Sequence, residues 1–340
     1  MRQLIIVNPI SGTGADKHAI AREARQVLTR AGHSVDIALT ERAGHATELA
    51  AQAVRDGYEA VIACGGDGTV NETARSLCGT QTALGIIPAG SGNGLARHIG
   101  MPMNAAQAVQ VLAQGHTDVC DYGTVNDREF FCTFGVGFDA AVSDRFAAAH
   151  SRGLLTYLRA TLQELLRYRP KPYRVTVDGH SFDIEAFILT GANASQYGNN
   201  AYIAPHASMK DGLLDIVVIE PFPPLEGAQV CLQLFNGTLE KNQHVKTFQT
   251  NALHITRPSE GAVHCDGDPF ITSSEIDIRI VPQQLRVVVN PFAKKVRQCN
   301  LQQSIPEWFK ELTTLPPTLQ MKTDNLLQLN RNLLEKLRKN

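Results

Sequence analysis

A glycine-rich turn between an apolar segment and a helical one constrains this chain more than any other feature. Residues 60–63 (AVIA) predict a short buried strand, and the turn CGGDGT follows at residues 64–69. Glycines let a backbone approach a ligand more closely than any side chain would permit. Free amide N–H groups and the helix dipole favour phosphate where such a turn opens a helix. The pattern therefore predicts a strand, a phosphate-binding turn and a helix, in that order.

Asp67 is an unusual residue for a turn that binds phosphate. A carboxylate repels phosphate unless a cation bridges the two or the carboxylate holds a hydroxyl proton, so its presence suggests Mg²⁺-dependent chemistry. The alternative is a structural helix N-cap, because Asp and Thr both cap helices well.

Three further predicted strands end in loops of a similar kind. Residues 3–7, 34–40 and 83–87 form apolar or alternating runs, and residues 16–31 predict a helix after the first of them. Alternation of strand and helix predicts a parallel sheet with right-handed crossovers. Such sheets bind ligands beyond the carboxyl ends of their strands. The loops expected at this edge are residues 8–14, 40–46, 64–69 and 88–97.

Several residues of these loops are candidates for contact with a ligand. Ser11 and Gly12 belong to a second phosphate-facing turn, although an ordinary βα loop has the same character. His45 either contacts a nucleotide or is a polar residue at a helix start. Asn93 lies in a cluster of small residues after a strand, a composition that keeps a backbone open for a ligand.

Length and composition limit the class of protein. A chain of 340 residues is longer than one typical domain, and 43% hydrophobic residues suffice for a packed core. A net charge of -1 provides no overall basic field to recruit nucleic acid. Seven cysteines without C-x-x-C spacing indicate reduced thiols. With no signal peptide and no membrane-spanning apolar run, we expect a soluble cytoplasmic protein.

The second half of the chain has a different pattern. Residues 154–168 predict a helix, and an acidic turn at residues 265–269 is either functional or a plain Asp-Gly hairpin. The last residues predict a helix with leucines along one face. This face packs against the same molecule, a dimer partner or a membrane surface. The expected fold class is an N-terminal parallel-sheet α/β domain (1–124), a C-terminal antiparallel β domain (125–292) with a cleft between them, and a helical tail (293–340). The strands predicted after residue 173 are 174–177, 182–189, 213–219, 253–255, 262–265, 276–280 and 285–289.

Five stretches together resemble the diacylglycerol kinase catalytic-domain family of lipid kinases, which includes sphingosine kinases and bacterial diacylglycerol kinases. The resemblance covers residues 1–290 in the right order. The glycine turn alone is shared with NAD kinases, whereas the five stretches in combination are specific. They are NP…SG (8–12), LTER…HA (39–46), GGDGT (65–69), PAGSGNGL (88–95) and DGD (266–268).

The resemblance implies that ATP lies in the cleft, with Mg²⁺ at its phosphates, and that a phosphoryl group passes to a hydroxyl of diacylglycerol or a sphingoid long-chain base. Asp67 would hold Mg²⁺ through water or act as base. Asp266 would take the proton of the attacking hydroxyl, with Asp268 beside it. Asp121 resembles a member of the metal network, and Asp211 resembles part of a second, structural cation site. The resemblance implies that eight residues face the nucleotide: Asn8, Ser11, Thr40, Gly66, Gly68, Thr69, Gly90 and Ser91. The loop patterns add Gly12, His45, Gly65 and Asn93 to this expected nucleotide site.

Two departures from the family pattern bear on this interpretation. Bacterial diacylglycerol kinases usually have Asp after Asn93, where this chain has Gly94, so one carboxylate of the metal network is missing and the loop resembles that of sphingosine kinases. Asp268 replaces a common Glu. The expected partners are a lipid substrate and, transiently, a membrane surface, with a homodimer possible and no nucleic acid. The alternatives are an NAD kinase-like enzyme and a nucleotide-binding regulator that has lost catalysis.

Overall fold

The first half of the chain forms a parallel α/β layer. The structure is a computed structural model that describes residues 1–11, 16–147, 168–223 and 226–293. Its elements are β1 (Arg2–Val7), α1 (Lys17–Arg30), β2 (Ser34–Leu39), α2 (His45–Arg55), β3 (Ala60–Gly65), α3 (Asp67–Arg75), β4 (Ala83–Pro88), α4 (Gly94–His98) and α5 (Ala105–Gln114). The strands pair in the order β2-β1-β3-β4, and all of these pairings are parallel. The predicted parallel sheet is confirmed.

Burial explains why these strands carry continuous apolar runs. Every residue of β3 and β4 is buried, because helices cover both faces of a parallel sheet. The helix α1 starts as expected, since the Asp16 carboxylate accepts hydrogen bonds from the amides of His18 and Ala19. It ends before Gly32, whose φ of 89° places it in the left-handed region.

The second half adds an antiparallel β sandwich. Its elements are β5 (Thr117–Val125), β6 (Arg128–Phe130), β7 (Thr133–Gly137), α6 (Phe138–Ala147), β8 (Lys171–Val177), β9 (His180–Ala186), β10 (Ile188–Ala192), β11 (Leu214–Ile219), α7 (Gly227–Asn236), β12 (Val245–Thr250), β13 (Ala252–Thr256), β14 (Gly261–Cys265), β15 (Asp268–Thr272) and β16 (Glu275–Val288). A six-stranded antiparallel sheet runs β12-β11-β10-β7-β14-β15. Its apolar face packs against β8, β13 and β16 around Phe134, Leu189, Ile216 and Ile278. The expected α/β plus antiparallel β fold class is confirmed.

Two strand predictions are wrong in instructive ways. The predicted strand 182–189 is two strands, because the chain leaves one sheet after Ala186 and enters the other at Ile188. The predicted strands 276–280 and 285–289 are one strand, β16, with a register shift between Val281 and Leu285. A β-bulge of this kind bends a strand without ending it.

The strand β16 joins the two halves of the molecule. It pairs in parallel with β4 through Val287 and Leu84, while residues 275–279 pair with β13 and residues 278–281 and 285–288 pair with β5. Leu285, Val287 and Val288 are buried in the core of the α/β layer. The first sheet therefore continues from the α/β layer into the sandwich.

Some sequence predictions concern parts of the chain outside the described residues. These are Gly12, nearly all of the predicted helix 154–168, and the helical tail from residue 294 onward. Within residues 1–11, 16–147, 168–223 and 226–293, no helix combines the length and apolar character needed to cross a bilayer. The domain limits at residues 124 and 292 stay predictions.

Candidate active site

The carboxyl ends of β1, β3 and β4 place three loops side by side. The Asn8 amide donates to the Cys64 carbonyl at 3.1 Å, and the Ala89 amide donates to the Gly65 carbonyl at 2.8 Å. The loop after β2 joins them, since the Thr40 amide donates to the Val7 carbonyl at 2.9 Å. The loops predicted to converge are therefore adjacent.

Crowding explains two glycines, Gly65 in the turn at residues 64–69 and Gly90 in the neighbouring loop after β4. A Cβ on Gly90 would lie 2.5 Å from the Gly66 Cα, and a Cβ on Gly65 would lie 2.5 Å from the Thr69 hydroxyl oxygen. Backbone atoms cannot move aside as a flexible side chain can, so the turn tolerates no side chain at Gly90. Gly68 and Ser91 are exposed, and a Cβ on Gly68 would meet nothing within 4 Å.

The side chain of Asn8 connects the first loop to the glycine turn. Its Nδ2 donates to the Thr69 hydroxyl at 3.1 Å, and its Oδ1 accepts from the Ile10 amide at 3.1 Å. The Ser11 hydroxyl donates to the Asn8 carbonyl at 3.0 Å. Asn8, Ser11 and the buried Thr69 are thus linked by hydrogen bonds beside the turn.

His45 has a local role at the start of α2. Its Nδ1 accepts from the Glu41 amide at 3.1 Å, which holds the loop that follows β2. Glu72 of α3 supports the same helix start, because its carboxylate accepts from the amides of Gly44 at 2.9 Å and Ala46 at 3.2 Å. The contribution of Glu72 was not predicted, since no sequence spacing connects it to α2.

Asp67 does not cap its own helix. Gly66 is the N-cap residue of α3 and makes no side-chain cap bond. Instead, the two Asp67 oxygens accept from the amides of Asn93 at 2.9 Å and Gly94 at 2.7 Å. Burial raises the pKa of Asp67, while these two amides act in the opposite direction. The N-cap alternative is wrong for this residue.

Asn93 gives its loop the shape that Asp67 needs. Its side chain exchanges two hydrogen bonds with the backbone of Gly90, accepting at 3.1 Å and donating at 2.8 Å. Its own φ of 52° is left-handed, a conformation that Asn adopts more readily than most residues. This conformation directs two successive amides at one carboxylate.

The second acidic turn is a two-residue hairpin, and its Asp side chain also points inward. Cys265 pairs with Asp268, and Asp266 and Gly267 have φ values of 53° and 84°. Asp266 Oδ2 accepts from the Phe131 amide at 2.8 Å. Its Oδ1 accepts from the amides of residues 132 and 133 at 2.7 and 2.9 Å. Burial raises the pKa of Asp266 to about 6, although the three amides lower it.

Cys132 lies within the electrostatic reach of both carboxylates. Burial raises the pKa of its thiol well above the ordinary value, and the charges of Asp266 and Asp67 raise it further. Asp67 belongs to the α/β layer and Asp266 to the sandwich. Phe131 and Cys132, whose amides bind Asp266, are buried in the hydrophobic core of the α/β layer, so the fold holds Asp266 against the half of the molecule that carries Asp67.

Asp268 is paired with two cations. The Nη2 atoms of Arg75 and Arg128 each lie 4.0 Å from its Oδ2. Arg75 ends α3, so one of these ion pairs connects the sandwich to the α/β layer. The guanidinium of Arg128 also lies over the Phe270 ring at 4.6 Å.

Asp121 and Asp211 occupy different surroundings. Asp121 is fully buried, and its two oxygens accept from the amides of Gly212 and Gln283 at 2.8 Å each. Asp211 is exposed and accepts from the Leu213 amide at 3.1 Å. Among the described residues, no group of three or more His, Cys, Asp or Glu side chains is arranged to hold a metal ion. The metal roles of both residues stay predictions.

A loop of the sandwich covers the backbone of residues 92–94. The Asn199 amide donates to the Gly92 carbonyl at 3.0 Å, and Arg97 Nη1 donates to Asn200 Oδ1 at 3.2 Å. A Cβ on Gly94 would lie 3.4 Å from both the Gly198 nitrogen and the Tyr197 oxygen. The position that lacks the expected carboxylate is thus in contact with the second half of the molecule.

Two family models match the chain. The model for the "Diacylglycerol kinase catalytic domain" matches residues 2–125. The model for the "YegS C-terminal NAD kinase beta sandwich-like domain" matches residues 132–289. The matches therefore define a kinase that combines a diacylglycerol kinase catalytic domain, in the α/β layer, with a β-sandwich domain in the second half of the chain.

Relatives and solved structures agree with these matches. A diacylglycerol kinase of Mycobacterium tuberculosis is 34% identical over 291 residues, which cover 83% of this chain and 93% of the relative. A diacylglycerol kinase of Bacillus subtilis is 27% identical, covering 78% and 89%. The crystal structure of a diacylglycerol kinase from Bacillus anthracis has the same fold, with a TM-score of 0.67 and 23% identity over 86% of this chain and 98% of that one.

The chain belongs to the diacylglycerol kinase family of lipid kinases. It is therefore an enzyme of the phosphotransferase class, and the resemblance inferred from its five sequence stretches is confirmed.

Proposed function

We propose that this protein transfers the γ-phosphoryl group of ATP to a hydroxyl of diacylglycerol or of a sphingoid long-chain base, with Mg²⁺ bound at the phosphates. The observation that carries the proposal is that Phe131 and Cys132, whose amides bind Asp266, pack in the core of the α/β layer that carries Asp67 and the glycine turns. Phosphoryl transfer needs donors around the phosphates, a cation, and a carboxylate near the acceptor hydroxyl. The two halves of this molecule carry groups suited to these tasks.

The nucleotide would bind to the α/β layer. The open backbone at Gly68, the exposed Ser91 and the half-buried Asn8 suit a chain of phosphates, with the buried Thr69 holding the Asn8 side chain in place. The N-terminus of α3 adds free amides and a positive dipole end. Gly65 and Gly90 serve indirectly, because the missing side chain of Gly65 makes room for Thr69 in the same turn and that of Gly90 allows the two turns to touch.

The residues at this position fit Mg²⁺. Proteins usually bind this ion through one or two carboxylates together with water and substrate phosphates, and not in an all-protein cage. The amides of Asn93, Gly94 and Asp67 itself bind this carboxylate, which leaves it an acceptor position for a cation. Mg²⁺ held at Asp67 would neutralise phosphate charge during transfer.

Asp266 would act as the general base. Its Oδ1 already accepts two amide hydrogen bonds and its Oδ2 accepts one, so Oδ2 keeps one position for an acceptor hydroxyl. In the reaction the hydroxyl proton moves to Asp266, the hydroxyl oxygen bonds to the γ-phosphorus, and the bond from phosphorus to the ADP oxygen breaks. A pKa of about 6 leaves Asp266 ionised at neutral pH and able to accept a proton.

Two observations bear on which of the two lipids is the acceptor, and each favours a different one. The relatives from Mycobacterium tuberculosis and Bacillus subtilis are named diacylglycerol kinases, which favours diacylglycerol. The loop at residues 88–94 lacks the carboxylate that is usual in bacterial diacylglycerol kinases, which favours testing sphingoid bases in parallel. Both acceptors reside in membranes, so we infer that the enzyme meets its substrate at a membrane surface.

The test is phosphorylation with labelled ATP and Mg²⁺, using vesicles that contain diacylglycerol, vesicles that contain a sphingoid base, and NAD in solution. We expect label in one of the two lipids. Label in NAD alone would overturn the proposal in favour of an NAD kinase activity. ATP binding without any labelled product would identify a regulator that has lost catalysis.

A further inference from the structure

A buried polar network lies directly behind the Asp266 turn. Asp139 Oδ2 contacts His264 Nε2 at 3.1 Å and accepts hydroxyl hydrogen bonds from Thr190 at 2.6 Å and Tyr197 at 3.1 Å. Asp139 and His264 are only 6% and 1% exposed. The reaction described above gives neither residue a task, although burial of a carboxylate and an imidazole is costly unless they are paired.

The hydrogen bonds of His264 define the orientation of its ring. The Gly267 amide donates to His264 Nδ1 at 3.3 Å, so Nδ1 is an acceptor. In a neutral imidazole the other nitrogen then carries the proton, and Nε2 donates it to Asp139. His264 thus connects a buried carboxylate to the backbone immediately after Asp266.

The surrounding backbone leaves room for this pair. Gly135 of β7 lies opposite His264 in the sheet. A Cβ on Gly135 would lie 2.0 Å from Asp139 Oδ2 and 2.5 Å from His264 Nε2. The pair therefore requires a glycine at this position of the central strand.

We propose that Asp139 and His264 are positioning residues that hold the Asp266–Gly267 turn, so that the Asp266 carboxylate stays on the amides of residues 131–133 with one oxygen open to the acceptor hydroxyl. This proposal rests on the proposed role of Asp266. Asp139 fixes the imidazole, the imidazole fixes Gly267, and the hairpin geometry then fixes Asp266. Misplacement of a reacting group by about 1 Å can cost up to 100-fold in rate.

Two variants of His264 separate its two contacts. His264→Gln places an amide donor near the former Nε2 and keeps a partner for Asp139, but it has no acceptor at the Nδ1 position. His264→Asn keeps an acceptor near Nδ1 for the Gly267 amide and loses the contact with Asp139. We expect His264→Gln to lower kcat by about 10- to 100-fold with a KM for ATP within about twofold of wild type, and His264→Asn to recover part of kcat.

Thr190→Val is the control for destabilisation of the same network. It removes one hydrogen bond to Asp139 without touching the turn, so we expect a lower Tm with kcat retained. An equal fall of kcat in Thr190→Val and His264→Gln would overturn the proposal, because general loosening of the core would then explain both. Wild-type kcat in folded His264→Gln would overturn it as well.

Amide hydrogen exchange tests the positioning without any assay of activity. If His264 holds the turn, His264→Gln should speed exchange at the amides of residues 131–133 more than at the strands β1 and β3. Uniform acceleration across the chain, or none at residues 131–133, would overturn the proposal. A wild-type enzyme that phosphorylates no lipid would instead contradict the proposed function, and the exchange experiment would still decide whether His264 positions Asp266.

Discussion

The Asp67 turn and the Asp266 turn hold their carboxylates by the same chemistry but over different spans of chain. The amide donors of Asp67 are 26 and 27 residues away, on the neighbouring loop of the same parallel sheet. The donors of Asp266 are 133 to 135 residues away, where the chain passes from β6 into the first residue of β7. Both carboxylates are half-buried, and partial burial raises the pKa of each.

The two turns therefore depend on different parts of the fold. The amides that bind Asp67 lie on the loop that follows β4, beside the end of β3, and a sandwich loop contacts that loop at Gly92. The hydrogen bonds of Asp266 require β7, β14 and the hairpin to be assembled, because the amide donors and the accepting carboxylate come from distant parts of the chain. We therefore expect changes at the first turn to affect the nucleotide and changes at the second to affect the acceptor.

The largest effect is expected for Asp67→Asn, which should lower lipid phosphorylation by about 100-fold or more. The change removes the charge that would hold Mg²⁺, and it also places an amide donor against the Asn93 or Gly94 amide, at a cost of about 1–3 kcal/mol in unfolding free energy. Kinetics and a thermal melt on one preparation check both effects. Asp183→Asn, which changes an exposed carboxylate paired with Arg174, is the control and should retain activity. Full activity in folded Asp67→Asn would contradict the assignment.

Asp266→Asn should lower kcat by about 100-fold or more while ATP affinity stays near wild type. Asn suits a hairpin of this type, so a plain turn would tolerate the change. Here, however, one of the three amide donors would face a second donor, so some loss of stability is expected as well. Calorimetric ATP binding and lipid phosphorylation distinguish the two effects. Asp266→Glu should keep part of the activity, and wild-type kcat in Asp266→Asn would eliminate Asp266 as the base.

The pH profile should show the same carboxyl. Burial raises the pKa of Asp266 to about 6, and only the ionised form accepts a proton. We therefore expect kcat/KM to fall about tenfold per pH unit below that value and to level off above it. Because this folded pKa exceeds the unfolded value of about 4, the group favours folding most at low pH, and that contribution is lost as the pH rises through about 6. A kcat/KM that stays constant between pH 5 and 7 would contradict the assignment.

Gly90→Ala should weaken ATP binding by about tenfold, because the new Cβ would lie 2.5 Å from the Gly66 Cα and would force the two turns apart. Gly85→Ala of β4 is the control, since its Cβ would crowd only the side chains of Ile62 and Leu112 in the core, at 2.9 Å each, and not the turns. Calorimetric titration with ATP compares the two variants. Equal affinities would show that contact between the turns does not matter for the nucleotide.

The sequence predicted the α/β layer because strands buried on both faces appear as continuous apolar runs, as in residues 60–63. It failed at residues 182–189, because the change of sheet at Phe187 leaves the apolar pattern uninterrupted. It could not predict which groups bind the Asp266 carboxylate. These donors are backbone amides, which nearly every residue has, so they leave no pattern in the sequence. The Asp139–His264 pair, separated by 125 positions, has no sequence spacing that would reveal it.

The smallest effect is expected for Asp268→Asn, which tests whether the second carboxylate of this turn takes part in the chemistry. Asp268 lies 4.0 Å from the guanidinium groups of Arg75 and Arg128 and is 48% exposed. Ion pairs of this kind contribute at most about 1 kcal/mol each and weaken with salt. We therefore expect a slightly lower Tm, a difference that shrinks at high ionic strength, and a kcat within about threefold of wild type. Because Asn keeps the size of the side chain and removes only its charge, a fall in kcat near that of Asp266→Asn would instead place Asp268 beside the reacting hydroxyl.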